Sequence, residues 1–263
     1  MLSAKSLNLR YGQRRVLHDV DFTARPGEVT AIVGPNGSGK TSLLSALSGA
    51  RAYDGEIRLN GLDLRDLAPA RQAQLRAVLP QSAEVAFPFT LLELVRLGLS
   101  AGLARAHPGD PTTLVRAAIA RVGLAGHEGR MVQQLSGGER QRAQLARVLV
   151  QIWEPVLEGA PRWLLLDEPV SALDIGHQLS IMQLAHDYAR AGGGVVAVMH
   201  DLNLTSMYAD RVVLLQAGRL RAAGRPEEVL TDHDLSACYG CALRTNTAPP
   251  GARPWLLPQS AAT

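Results

Sequence analysis

The fold is decided by the stretch Gly34-Pro35-Asn36-Gly37-Ser38-Gly39-Lys40-Thr41, which fits the phosphate-loop pattern G-x-x-x-x-G-K-[ST] at every position. An apolar, β-branched run at 29–33 precedes it and indicates a buried strand, whereas residues 42–47 indicate a helix. Glycines in this setting let backbone N–H groups surround an anion, and the helix N-terminus adds the positive end of its dipole. We therefore predict a phosphate-binding loop, with Lys40 reaching the β- and γ-phosphates of a nucleotide and the Thr41 hydroxyl ligating Mg²⁺.

The composition is that of a globular chain with an aliphatic core. The 263 residues suit one large domain or two small ones, and 46% are hydrophobic although only 4% are aromatic. No apolar stretch reaches the roughly 18–20 residues that a bilayer crossing needs. The N-terminus also lacks the apolar region of a signal peptide. We expect a cytosolic protein that reaches a membrane through a partner.

Charge and cysteine content give only weak support to nucleic-acid binding and to a zinc or redox site. The net charge is +3, and no run of Lys and Arg indicates a nucleic-acid surface. Cys238 and Cys241 form a C-x-x-C pair without the second pair that a zinc site needs. We expect two reduced thiols that serve packing.

The order of the secondary-structure patterns predicts an α/β protein with a largely parallel sheet. Alternating apolar residues and turn signals predict strands at 2–10, 15–23, 28–33, 55–59 and 75–79. From 90 to about 151 the apolar spacing becomes helical, which indicates a helical subdomain inserted into the α/β core. Strands and helices then alternate again, at 163–166, 173–190, 195–199, 202–208 and 211–216.

Two carboxylates follow the apolar strand at 163–166. Asp167 and Glu168 stand at its carboxyl end, the edge of an open α/β sheet where ligands bind. Asp167 is suited to hold Mg²⁺ through water. Glu168 is suited to polarise the water that attacks a γ-phosphate.

A third motif is Leu135-Ser136-Gly137-Gly138-Glu139-Arg140-Gln141. Ser136 and Glu139 have the spacing of a capping box, so a helix is predicted to begin here. The two glycines leave backbone N–H groups open to an anion at the helix N-terminus. This loop is too short to enclose a nucleotide, but it could complete the binding site of a nucleotide that is held elsewhere.

These motifs together make the chain similar to the ATP-binding subunit of an ATP-binding-cassette (ABC) transporter, with residues 135–141 as the signature motif. The resemblance implies that Tyr11 stacks on adenine, that Gln81 senses Mg²⁺ and the permease, and that His200 contacts the γ-phosphate. Residues 171–174 match the D-loop, which includes Asp174. It also implies a P-loop NTPase cassette with an antiparallel β subdomain and a helical subdomain at about 86–151. The ATPase domain would span 1–243 and a C-terminal tail 244–263.

The resemblance further implies the assembly. Two copies would face each other, with each ATP held between the phosphate loop of one copy and the signature helix of the other, which begins at Ser136, Gly137 and Gly138. Asp174 of the D-loop would also bind the nucleotide. The expected cofactors are ATP and Mg²⁺. The expected protein partners are an integral membrane permease dimer and, indirectly, a periplasmic substrate-binding protein. The chain would lie at the cytoplasmic face of the bacterial inner membrane. Glu168, His200 and Gln81 would be the catalytic residues.

Within the family, residues 80–98 and 200–211 resemble importers for iron chelates, haem and cobalamin. Residues 151–162 form an insertion between the signature helix and Asp167, and with residues 170–178 they are similar to the haem importer ATPases. This similarity favours an ATPase that energises haem import, although surface loops also accept insertions such as residues 151–162 without a change of function. The alternatives are an importer ATPase for ferric siderophores or cobalamin, an exporter ATPase, a soluble cassette ATPase, and a nucleotide-binding regulator without catalysis.

Overall fold

The computed structural model describes residues 1–81, 87–101, 110–248, 251, 254 and 257–260. In chain order, the strands are β1 (Leu2–Tyr11), β2 (Arg14–Ala24), β3 (Val29–Val33), β4 (Asp54–Leu59), β5 (Leu62–Asp63), β6 (Arg76–Leu79), β7 (Val156–Leu157), β8 (Ala160–Pro161), β9 (Trp163–Asp167), β10 (Gly194–Val198), β11 (Arg211–Gln216) and β12 (Arg219–Gly224). The helices are α1 (Lys40–Leu47), α2 (Pro69–Leu75), α3 (Leu91–Arg96), α4 (Pro111–Arg121), α5 (Gly137–Gln151), α6 (Ile175–Arg190), α7 (Leu202–Tyr208), α8 (Pro226–Val229) and α9 (Asp232–Tyr239). Short 3-10 turns lie at Leu97–Ala101, Val132–Gln134 and Pro258–Ser260.

The larger sheet has the strand order β12-β11-β3-β10-β9-β6 among the described residues. All neighbours pair in parallel except β11 and β12, which are antiparallel. A smaller antiparallel sheet has the order β2-β1-β4-β5. Helices α3, α4 and α5 pack on one another and form the helical subdomain. The predicted fold class, including the antiparallel and helical subdomains, is confirmed.

Side chains of the central strands alternate between two cores, as the period of a strand requires. Leu164 and Leu166 of β9 join the core that contains α5, α6 and the helical subdomain. Trp163 and Leu165 join the other core, with α1 and the antiparallel sheet. Because both faces are covered, all of β3, β9 and β10 is buried and each strand reads as a continuous apolar run.

Several predicted boundaries shift in the structure. Helix α2 occupies Pro69–Leu75, so the strand predicted at 75–79 begins only at Arg76. Helix α6 begins at Ile175 because Asp174 is its N-cap. The predicted helical subdomain includes residues 86 and 102–109, and the predicted tail includes 249, 250, 252, 253, 255, 256 and 261–263, all outside the described residues.

The insertion before β9 is an anchored hairpin. Strands β7 and β8 pair antiparallel, and the Pro161 carbonyl accepts a hydrogen bond from Asn60 Nδ2 at 2.8 Å. Asn60 Oδ1 in turn accepts from Trp163 Nε1 at 2.9 Å. The buried Arg162 guanidinium donates to three main-chain carbonyls, those of Gln74, Glu154 and Gln151. The insertion is therefore tied to both sheets and to α5.

Both cysteines are free, but they differ in environment. Cys238 is buried at the end of α9, where its Sγ lies 3.7 Å from the Leu215 carbonyl oxygen. Cys241 is exposed, so the prediction of a packing thiol holds for Cys238 and is wrong for Cys241. None of the helices in the described ranges has the length and apolarity that crossing a bilayer requires.

Candidate functional site

The predicted site residues follow four adjacent parallel strands. The phosphate loop follows β3, His200 follows β10, Asp167 and Glu168 end β9, and Gln81 follows β6. These strands are neighbours in the order β3-β10-β9-β6, and their carboxyl ends meet at one edge of the sheet. Residues far apart in sequence thus converge at the edge where open α/β sheets bind ligands.

The phosphate loop is built on left-handed glycine backbone. Gly34, Gly37 and Gly39 have φ of 146°, 77° and 102°, which only glycine adopts readily. Helix α1 begins at Lys40, so its free N–H groups point into the loop. Lys40 Nζ donates to the Gly34 and Pro35 carbonyls at 2.9 and 3.2 Å. The ammonium group is therefore held over the loop, where phosphate oxygens could replace these carbonyls as its acceptors.

Opposite charges are buried beside the loop. Burial lowers the pKa of Lys40, and the carboxylates of Glu168 and Asp167 raise it in part. Burial raises the pKa of Asp167, while the hydrogen bond from Thr41 Oγ1 at 3.1 Å lowers it. Asp167 and Thr41 thus present two oxygens side by side in a site where a negative charge is poorly solvated. Hard oxygen ligands of this kind fit Mg²⁺.

Glu168 and His200 form a hydrogen-bonded pair. His200 Nε2 lies 2.6 Å from Glu168 Oε1. Glu168 has φ of 52°, which is uncommon for a residue with a side chain. The backbone turns directly after β9. On either side of this turn, Asp167 is buried at the strand end and Glu168 lines the cleft.

An open cleft of about 620 Å³ joins most of these groups. The predicted residues that line it are Tyr11, Asn36, Gly37, Gly39, Lys40, Thr41, Gln81, Glu168 and His200. Gly34, Pro35 and Ser38 belong to the same loop without lining the cleft, and Asp167 lies behind Thr41. Gln81 is the last described residue before 82–86, which lie outside the described ranges.

Sequence reasoning missed Arg14, Val16 and Ser42, which also line the cleft. Arg14 pairs with Tyr11 across the β1–β2 hairpin, so the two side chains share a face. The turn signal after Tyr11 could have revealed this pairing. Tyr11 is 42% exposed, and the Arg51 guanidinium lies 5.4 Å from its ring centroid.

The signature motif lies apart from the cleft. Ser136 caps α5 in a capping box with Glu139, as predicted, and Ser136 and Gly137 are exposed. Asp174 caps α6, and the backbone N–H of His177 lowers its pKa. The residues that line the cleft do not include Ser136, Gly137, Gly138 or Asp174. In the described structure these exposed or partly exposed groups therefore lie outside the cleft of their own chain.

The family model described as ABC transporter matches residues 17–171, more than half of the chain. The chain belongs to the ABC transporter family, as the resemblance of its motifs predicted. Its fold agrees with a solved ATP binding subunit of an ABC transporter, with a TM-score of 0.76 at 23% identity over 92% of this chain and 94% of that one. It also agrees with a dimeric bacterial ABC transporter cassette, with a TM-score of 0.72 at 24% identity over 86% and 99% of the two chains.

Among curated proteins, the chain is similar along its whole length to proteins named hemin import ATP-binding protein HmuV. The protein of that name from Jannaschia sp. (strain CCS1) is 59% identical over 99% of this chain and 95% of its own length. The one from Mesorhizobium japonicum is 55% identical over 99% of both chains.

Proposed function

We propose that this chain is the ATP-hydrolysing subunit that energises import of haem (hemin) through a membrane permease. The observation that carries the ATPase activity is the convergence of Lys40, Asp167, Glu168 and His200 at one sheet edge around the cleft. The haem substrate is supported by the full-length similarity to proteins named hemin import ATP-binding protein HmuV. Haem itself need not touch this chain.

In this proposal, the cleft binds ATP from the adenine end to the γ-phosphate. Tyr11 stacks on the base, since its ring is exposed at the cleft rim. The loop amides and Lys40 hold the phosphates, and Lys40 exchanges its loop carbonyls for phosphate oxygens. These contacts fix the γ-phosphate below Glu168 and His200.

Hydrolysis in this proposal depends on the pair at the ends of β9 and β10. Glu168 accepts a hydrogen bond from the attacking water and orients it, and His200 holds the Glu168 carboxylate and contacts the γ-phosphate. Thr41, Asp167 and Gln81 would hold Mg²⁺, which would neutralise charge that develops on the phosphates. Phosphate release then removes the anion that links the phosphate loop to Glu168 and His200.

The signature residues act in a homodimer. Ser136, Gly137, Gly138 and Asp174 are exposed or partly exposed and stand apart from the cleft of their own chain, as expected if they complete the ATP site of a second copy. Closure of this dimer would move the helical subdomain against a permease dimer at the cytoplasmic face of the inner membrane. A periplasmic substrate-binding protein would deliver the substrate from the other side.

Glu168→Gln tests the ATPase mechanism directly. The variant should release phosphate at least about a hundredfold more slowly than the wild type, because the amide cannot take up the proton. Gel filtration with ATP should show a stable dimer of the variant. A variant that remains monomeric with ATP, or that hydrolyses ATP normally, would contradict the mechanism.

Growth of a strain that lacks this chain tests the substrate. With haem as the only iron source, we expect no growth, and growth should return with the intact chain but not with Glu168→Gln. A ferric siderophore should still support growth. Loss of growth on the siderophore instead would assign the chain to a ferric-siderophore importer, with the ATPase mechanism unchanged.

A further inference from the structure

The backbone at Glu168 is held in an unfavourable conformation. Its φ of 52° places a residue with a side chain in the left-handed region. Such conformations persist only where surrounding contacts determine them. The same backbone turn fixes the direction of the Glu168 side chain, whose Oε1 lies 2.6 Å from His200 Nε2. What holds this turn therefore controls where the carboxylate points.

Hydrogen bonds fix the Glu168 peptide on both sides. Its N–H donates to the Val198 carbonyl of β10 at 3.2 Å. Its carbonyl oxygen accepts from Gln141 Nε2 at 2.9 Å, from Ser171 Oγ at 3.2 Å and from the Ser171 N–H at 3.4 Å. The Gln141 bond is the shortest of these and comes from a different element, 27 residues away.

Gln141 belongs to the first turns of α5, the helix that begins at the signature motif. The capping box of Ser136 and Glu139 fixes the start of this helix. The N-terminus of α5 also packs closely on the segment after Glu168, since a Cβ on Gly138 would lie 3.1 Å from the Ala172 carbonyl oxygen. Helix α5 is therefore a rigid support from which the Gln141 amide reaches the Glu168 carbonyl.

We propose that Gln141 is a positioning residue for ATP hydrolysis, which holds the Glu168 backbone so that the carboxylate faces the attacking water. This inference rests on the proposed function, in which Glu168 orients that water. Gln141 does not line the cleft of its own chain, and its side-chain amide donates to the Glu168 carbonyl. Its loss should lower kcat and leave ATP binding intact.

The test compares Gln141→Met with Gln144→Met. Methionine keeps the length and volume of the side chain and removes the donor. Gln144 is a buried glutamine on the same helix, and it has no contact to Glu168 among the described hydrogen bonds. Gln144→Met therefore controls for the effect of replacing a buried glutamine of α5 by methionine. We expect roughly a tenfold loss of kcat for Gln141→Met and a change of less than about twofold in KM and in the Kd of a fluorescent ATP analogue. Gln144→Met should keep the kcat of the wild type.

Two further variants make each outcome decisive. Ser171→Ala removes a second donor to the same carbonyl from an exposed position, and it should give a smaller loss of kcat with unchanged KM. It replaces Gln141→Met as the test if that variant does not fold, as judged by thermal unfolding. Equal kcat for Gln141→Met and Gln144→Met, or a loss that appears in KM alone, overturns the positioning role. Glu168→Gln in the same assay separates the two proposals: if it keeps the kcat of the wild type, the proposed function itself fails.

Discussion

Gly34→Ala should weaken both the fold and ATP binding, because the phosphate loop leaves no room for a methyl group at this position. A Cβ on Gly34 would lie 2.2 Å from the Leu215 carbonyl oxygen and 2.9 Å from Ser38 Oγ. The Leu215 oxygen belongs to the backbone of β11, so it cannot turn aside as a flexible side chain would. The loop, or the strand behind it, must move.

Two costs add at this position. Overpacking in a well-packed site costs about 1–3 kcal/mol. A left-handed backbone costs an L-residue about 1–2 kcal/mol, and Gly34 has φ of 146°. We therefore expect the free energy of unfolding to fall by about 2–5 kcal/mol. Because the displaced loop also carries the amides and Lys40, the Kd for ATP should rise by about tenfold or more.

Gly61→Ala is the matched control. Gly61 also has a positive φ, 86°, but a Cβ there would meet no atom within 4 Å, and the residue does not line the cleft. The free energy of unfolding of Gly61→Ala should fall by about 1–2 kcal/mol, and its affinity for ATP should stay that of the wild type. Urea unfolding and titration with a fluorescent ATP analogue measure both quantities. Equal losses of stability in the two variants, or wild-type ATP affinity in Gly34→Ala, would refute the steric argument.

Three other predictions concern the site and its support. Tyr11→Ala should raise the Kd for ATP roughly 5- to 150-fold, since base stacking contributes about 1–3 kcal/mol, while Tyr11→Phe should bind as the wild type; the same titration decides, and equal affinities would exclude stacking. Asp167→Asn should melt at a higher temperature than the wild type at pH 7 without nucleotide and should lose ATP hydrolysis. Burial raises the pKa of Asp167 above its ordinary value of 3.8, so its ionisation opposes folding above the raised pKa, and the advantage of asparagine should disappear as the pH falls toward 3.8. Melting curves across this pH range check the sign, and a less stable variant at pH 7 would contradict it. Arg162→Met should lower the free energy of unfolding by at least about 2 kcal/mol in urea, because three main-chain carbonyls lose their buried donor; the exposed Arg25→Met should change it little, and equal effects would contradict the anchoring role.

The sequence predicted those parts of the site that form within a short segment. The phosphate loop needs only its own glycines and the start of α1. The capping box of Ser136 and Glu139 satisfies backbone groups three residues apart, and it is present as predicted. Motifs of this kind are legible because the hydrogen bonds that define them connect close neighbours in the chain.

The elements that sequence reasoning missed are held by contacts outside their own segment. Helix α2 has weak apolar periodicity, and its Gln72 side chain is held by the Leu64 and Leu67 carbonyls. Strand β12 carries polar and small residues in an edge position, where pairing with β11 stabilises it. The β7–β8 hairpin takes its shape from Asn60 and Arg162, neither of which a loop pattern identifies.

The sequence by itself determined the fold class, the phosphate loop and the site residues that follow β3, β9 and β10. Only the tertiary structure decided that β10 lies between β3 and β9, which brings His200 within 2.6 Å of Glu168. It also decided that Gln141 supports the Glu168 backbone from another element. The physical reason is that strand order and contacts between elements arise from hydrogen bonds and packing between separate segments, 27 residues apart for Gln141 and Glu168 and 32 for His200 and Glu168. Such contacts leave no periodic pattern in either segment.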